Sequence, residues 1–163
     1  MTALVPMRAD VFPSYLREAA ASYAEDNIAS GRWPKNGALE RSLAEMQRHL
    51  PQGLATRDNH LFEIVATEGR VTVGYLWFAV EERHGVRGAF IYDVEVKEPF
   101  RRQGHARRAL QALEKIVAAL GLSSIGLHVF VQNAGAQALY RELGFAVTGL
   151  NMRKPLAAES ARD

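Results

Sequence analysis

The chain has 163 residues, 48% of them hydrophobic and 23% charged, with 20 Lys and Arg against 18 Asp and Glu and a formal net charge of +2. That size and balance suit one globular domain and exclude a collagen, a coiled coil and a long disordered chain. The absence of cysteine removes disulfides, thiolate zinc sites, iron–sulfur clusters and any cysteine nucleophile. No apolar run approaches the roughly 20 residues that span a bilayer. The first ten residues have no basic stretch leading into an apolar core, so no secretory signal and a cytoplasmic setting are expected.

In chain order, residues 3–8 read as a short first strand. Residues 14–30 read as a helix, with Tyr15, Ala19, Ser22, Tyr23 and Asp26 at helical spacing and Ser14 as its N-cap. Residues 38–50 read as a second helix with Leu39, Leu43, Met46 and Leu50 on one face, stopped by Pro51 and Gly53. Residues 54–60 read as a loop. Three strands at 61–67, 71–80 and 88–96 follow, joined by a tight turn at Glu68-Gly69 and a longer loop at 83–87. Their short connections predict an antiparallel meander.

Helix and strand then alternate. A helix is predicted over 104–120, a strand over 124–131, a short helix over 134–143 capped by Asn133, and a closing strand over 145–152. The β–α–β crossover predicts one right-handed parallel pair.

The chemistry concentrates in IYDVEVKEPFRRQGHARRAL, residues 91–110. A strand ends at Val96, a loop carries Arg101, Arg102 and Gln103, and Gly104 leads into a helix. A helix entrance bares main-chain N–H groups and carries the positive end of the dipole, which suits phosphate. Gly104 has no side chain to hold a ligand away, and Lys97, Arg107 and Arg108 add cations nearby. There is no Gly-Lys-Ser/Thr and only one glycine of the dinucleotide fingerprint, so neither of those phosphate motifs applies. With charges otherwise balanced, the local basic cluster gives no nucleic-acid signature.

The next segment, LHVFVQNAGAQALYRELGF at residues 127–145, runs from a strand through Asn133 into a helix with Tyr140, Gly144 and Phe145. Together the two segments resemble the GNAT family, the acetyl-CoA-dependent N-acetyltransferases. Arg101-x-x-Gly104-x-Ala106 resembles that family's pyrophosphate loop. Asn133, Ala138, Leu139, Tyr140, Gly144 and Phe145 resemble its second signature, with Ala136 at its usual alanine place, and the resemblance covers about residues 60–152. Ala106 stands where a second glycine is commonest, and His105 where an apolar residue is common.

The resemblance implies an α+β fold: a mostly antiparallel sheet of about six to seven strands with one parallel pair, splayed into a V-shaped cofactor cleft, and about four helices. It implies a single domain over 1–163, with substrate-side helices in 1–60, a cofactor-binding core in 61–152 and a tail at 153–163. It implies that acetyl-CoA lies along Val94, Glu95 and Val96 and that its pyrophosphate meets the amides of Arg101, Arg102, Gln103, Gly104, His105 and Ala106. It places Asn133 on the pantetheine arm and Tyr140 near the thioester sulfur, with no metal. A bulge in the strand ending at Val96 is expected to open the wedge.

An amine attacking a thioester must first lose a proton, and at pH 7 a lysine-like amine with a pKa of about 10.4 is mostly charged. Three residues compete for the base, His128 and Glu95 first and Asp93 behind them. Alternation puts Asp93 and Glu95 on one strand face, opposite Tyr92, Val94 and Val96. Tyr140 is the candidate acid, or else a buried aromatic; Asn133 is the pantetheine contact, or else only a cap. The function implied is acetyl transfer to a primary amine by direct attack in a ternary complex. The alternative is a non-catalytic acyl-CoA-binding module. The expected partners are acetyl-CoA and an amine acceptor, with no nucleic acid and no membrane, and a homodimer through the sheet edge or closing strand is compatible with the sequence.

Overall fold

The computed structural model describes residues 1–156, so most of the tail expected at 153–163 lies outside the described residues. Five strands, β1 (Thr2–Pro6), β2 (Asn59–Ala66), β3 (Val71–Arg83), β4 (Val86–Val96) and β5 (Ile125–Leu127), form one sheet in the order β1-β2-β3-β4-β5. The first four pair antiparallel and β4 pairs with β5 in parallel. The helices are α1 (Phe12–Ala29), α2 (Ala38–His49), α3 (His105–Ala119) and α4 (Ala134–Glu142).

The sheet separates two cores. On one face, Ile64, Leu76, Phe78 and Ile91 meet Leu110 and Leu113 of α3. Leu113 is fully buried, and each such side chain contributes about 1.5–3 kcal/mol of hydrophobic stabilisation. On the other, Leu61, Tyr75 and Trp77 meet Tyr15 and Ala19 of α1 and Met46 and Leu50 near α2. Ser42 ties α2 to α1 by donating to the Ala20 carbonyl at 2.7 Å.

Several expectations change. Helix α1 begins at Phe12 with Pro13 in its first turn, so Ser14 lies inside it and donates back to the Val11 carbonyl. Leu39 is 47% exposed, which narrows the apolar stripe of α2 to Leu43, Met46 and Leu50. The loop expected at 83–87 is a two-residue turn, because His84 and Gly85 both take positive φ (53° and 77°) and let Arg83 pair with Val86. The residues expected to begin β2 at 61 are joined by Asn59 and His60, which pair with Ala79 and Phe78.

Among the described residues the sheet has five strands rather than six to seven. The strand expected over 124–131 holds only Ile125–Leu127, and residues 145–152 form no strand. After Leu127 the chain leaves the sheet for α1, where Phe130 meets Tyr23 and Gln132 donates to the Asp26 carbonyl. The remaining three-residue edge gives a further strand little to pair with. Phe145 instead turns back on α4, its N–H bonding the Tyr140 carbonyl, and Val147, Leu150 and Met152 stay exposed.

Candidate active site

Strand β4 runs five residues past its last pairing with β5, which ends at Ile91 and Leu127. Beyond that point the two strands part, leaving a wedge with one side of Tyr92–Val96 open. The register of β4 against β3 slips there: Phe78 faces Ile91 and Trp77 faces Asp93, so Tyr92 is an extra residue, a β-bulge. The bulge corrects the simple alternation. Tyr92 packs with the α1–α2 core, stacked on Trp77, and so lies on the same face as Asp93 and Glu95, while Val94 turns to the α3 side.

At the end of β4 the chain enters the loop before α3. Arg102 has φ +64° and Gly104 φ +81°, alternating with ordinary backbone, a shape that converges N–H groups into an anion-binding concavity. The first main-chain bond of α3 runs from Arg108 N–H to the Gly104 carbonyl. Among the described residues, the amides of 102–107 have no main-chain acceptor. A Cβ on Gly104 would sit 2.6 Å from Arg108 Nη1, in a backbone conformation few side chains adopt. These features suit a pyrophosphate.

Two residues of the loop depart from the expected roles. The Arg101 amide already donates to the Glu98 carbonyl at 3.2 Å. Its side chain donates to the Val96 carbonyl at 2.9 Å and lies 3.7 Å from Glu95, so Arg101 braces the loop by its guanidinium. His105 is only 7% exposed and its ring turns to β1, with Nδ1 2.9 Å from Thr2 Oγ1; only its amide faces the loop. Arg102 and Gln103 are exposed, and Ala106 is half-buried in the first turn.

The opposite wall is made of side chains. Asp93 accepts a hydrogen bond from Tyr15 Oη at 2.8 Å. Tyr15 is 1% exposed and its ring lies 5.0 Å from Tyr75, so the hydroxyl is held in place. Burial pushes the Asp93 carboxyl up to about 7; Tyr15 pulls against that, and the charges of Glu95 and Asp26 add to it. Glu95 is also raised, first by burial and then by Glu18, Asp26 and Glu25, against the pull of Arg101. Asp26 is raised by burial and by Glu25.

Tyr140 packs against the α3-side core beside Phe145. Burial and the charge of Asp93 raise its hydroxyl, which keeps it protonated. His128 is exposed, edge-on to Phe130, and lowered by burial and by Arg32. Asn133 caps α4: its Oδ1 accepts from the Ala136 amide at 3.2 Å. The structure therefore brings Asp93, Glu95 and Val94 together at the wedge, with Tyr140 beyond it. It leaves His128 at the rim and engages the Asn133 carbonyl in the cap.

Tyr15 is the residue that sequence reasoning passed over. Its place in the apolar periodicity of α1 marked it as core; its bond to a carboxylate 78 positions away has no local signal.

The architecture and the paired motifs define an acyl-CoA-dependent acyltransferase class, and comparison with known proteins agrees. The Acetyltransferase (GNAT) family pattern matches residues 22–145. The chain is 37% identical over 153 residues to the uncharacterized N-acetyltransferase YycN of Bacillus subtilis, covering 94% of this chain and 97% of YycN. It is 33% identical over 153 residues to the uncharacterized N-acetyltransferase YdgE of the same organism, again covering 94% and 97%. The crystal structure of YycN superposes with a TM-score of 0.90 at 36% identity, covering 96% of this chain and 99% of that one. The chain belongs to the GNAT acetyltransferase family, whose co-substrate is acetyl-CoA.

Proposed function

We propose that this protein moves an acetyl group from acetyl-CoA to a primary amine by direct attack within a ternary complex, with Asp93 as general base and Tyr140 as proton donor. The observation that carries the reading is the wedge itself. Open amides stand at its lower end, and a carboxyl group that titrates near pH 7 stands on the side facing α1.

The amides of 102–107, with Gly104 allowing close approach, would hold the pyrophosphate, and the free side of Val94 and Val96 would pair with the pantetheine arm. Asp93 takes a proton from the ammonium group. The neutral amine attacks the thioester carbonyl and an N–C bond forms; the C–S bond breaks as Tyr140 protonates the departing thiolate, and the second proton shed by the nitrogen returns through solvent to Tyr140. A thiolate with a pKa near 8.5 leaves readily, so Tyr140 assists while Asp93 decides. Glu95, Glu18, Glu25 and Asp26 give this wall a negative potential, which favours a cationic amine. Its raised proton affinity makes Asp93 a stronger base candidate than exposed His128, reversing the order expected from sequence.

Calorimetry with acetyl-CoA tests the first half, and absence of binding at millimolar ligand would end it. A panel of amines with a free-thiol readout tests the second: turnover releases coenzyme A, whereas binding without thiol release leaves a non-catalytic module.

A further inference from the structure

Behind the phosphate-binding loop, a chain of hydrogen bonds joins the first strand to the loop's main chain. Arg108 Nε donates to Thr2 Oγ1 at 2.9 Å, Thr2 Oγ1 lies 2.9 Å from His105 Nδ1, and Arg108 Nη2 donates to the Gln103 carbonyl at 2.8 Å. The direction of the chain follows from chemistry. A guanidinium only donates, so Thr2 accepts from Arg108 and its own O–H is free to donate to Nδ1. Arg108 Nη2 also points at Nδ1, at 3.5 Å. Nδ1 is therefore an acceptor, and His105 is neutral with its proton on Nε2.

Beside these residues an open surface depression of about 380 Å³ is lined by Phe100, Gln103, His105 and Arg108 among others. Hydrogen bonds rather than packing hold the Gln103 carbonyl. The peptide plane is rigid, so a Gln103 C=O fixed toward Arg108 directs the Gly104 N–H the opposite way, toward the mouth of the loop. Without Thr2, Arg108 loses the partner that fixes its side chain midway.

We infer that Thr2 is a positioning residue for coenzyme A binding: through Arg108 and the Gln103 carbonyl it aims the Gly104 amide at the pyrophosphate. This rests on the reading of acetyl-CoA as the substrate. The chain of bonds also makes the grip sensitive to acid. The groups facing His105 are Arg108 on its own helix, the Met1 amino group beside β1 and Glu68 in the β2–β3 turn. Burial, then Arg108 and the Met1 amino group, lower its proton affinity against the weaker pull of Glu68. Once protonated, Nδ1 can no longer accept from Thr2, and the ring repels Arg108. Affinity should then fall as pH drops below the ordinary histidine range.

The test is calorimetric titration of the full chain with acetyl-CoA, each variant checked by thermal melting. Thr2→Val keeps the shape and removes the relay, and should bind about tenfold more weakly, the effect of one or two hydrogen bonds. Thr2→Ser should restore wild-type affinity. Between pH 8 and pH 5.5 the wild type should lose more affinity than Thr2→Val does. His105→Asn, which keeps an acceptor near Nδ1 but does not titrate, should bind at pH 7 and lose that extra acid sensitivity, and it keeps the test alive if Thr2→Val does not fold. Equal affinity for wild type and Thr2→Val overturns the inference, as does weak binding by Thr2→Ser or an unchanged acid response in His105→Asn. A wild type that does not bind acetyl-CoA at all overturns the functional reading together with it, and is a distinct result.

Discussion

The two walls of the wedge are made of different materials. The wall proposed for the phosphates is main chain: amides of the loop and first turn of α3, shaped by two left-handed residues and a guanidinium brace. The wall proposed for the acceptor is side chain: a carboxyl group beside a bulge, a tyrosine from α1 and a set of glutamates and an aspartate. Main-chain sites tolerate most changes of residue and fail at the few positions that fix backbone shape. Side-chain sites fail one group at a time, each with its own chemical signature.

The strongest test of this division is Asp93→Asn. Turnover should fall by about 10²–10⁴-fold, the usual contribution of a positioned base, with acetyl-CoA affinity almost unchanged; a parallel loss of affinity would break the comparison. The same variant has an opposite effect on stability. A carboxyl raised from 3.8 to about 7 in the folded state stabilises the protonated form. That stability is fully present below the unfolded value and is lost as pH rises through about 7. Wild-type activity should therefore rise with pH through about 7 while stability falls, and Asp93→Asn should melt higher than wild type at pH 8.

Gly104→Val should act on the other wall alone. The positive φ costs about 1–2 kcal/mol for a residue with a side chain, and the collision with Arg108 adds to it. Acetyl-CoA binding measured by calorimetry should weaken at least tenfold, that is by about 1.4 kcal/mol or more, with the amine KM at saturating acetyl-CoA unchanged.

Smaller effects sharpen the acceptor side. Tyr140→Phe should lower kcat about tenfold, less than a base removal, without weakening acetyl-CoA binding; unchanged kcat would reduce Tyr140 to packing. Tyr15→Phe should be the mildest. The hydroxyl of Tyr15 holds the Asp93 proton affinity down, so its loss should move the rising limb of the kcat/KM profile to higher pH while the plateau is largely kept. A profile that does not move would remove Asp93 from the role of base.

The same contrast explains what could be read from sequence. A helix entrance with a left-handed glycine leaves local marks, a glycine after a short basic loop, and Gly104 and α3 stand where those marks put them; the phosphate role is the proposed one. The antiparallel meander and the single parallel pair followed from connection lengths. The acceptor wall leaves no such mark, since the Tyr15–Asp93 bond joins α1 to β4 across half the chain. His105 offered no reason for its type until β1 was seen to bring Thr2 against it. The missing closing strand was hidden for a related cause. Residues 145–152 carry enough Phe, Val, Thr and Leu to pair, but a strand also needs a neighbour, and the chain after Leu127 has turned away to α1.

The extra residue at Tyr92 has a consequence for how such a site can change. Which way Asp93 points depends on a count along β4, odd or even, more than on the identity of any neighbour. Removing Tyr92 would restore regular pairing and leave Asp93 opposite Trp77 on the α1 side, whereas closing the bulge with all residues kept would turn the acid through the sheet to α3. The bulge thus gives this strand room to lose a residue, which most strands reject, without moving the acid from its wall.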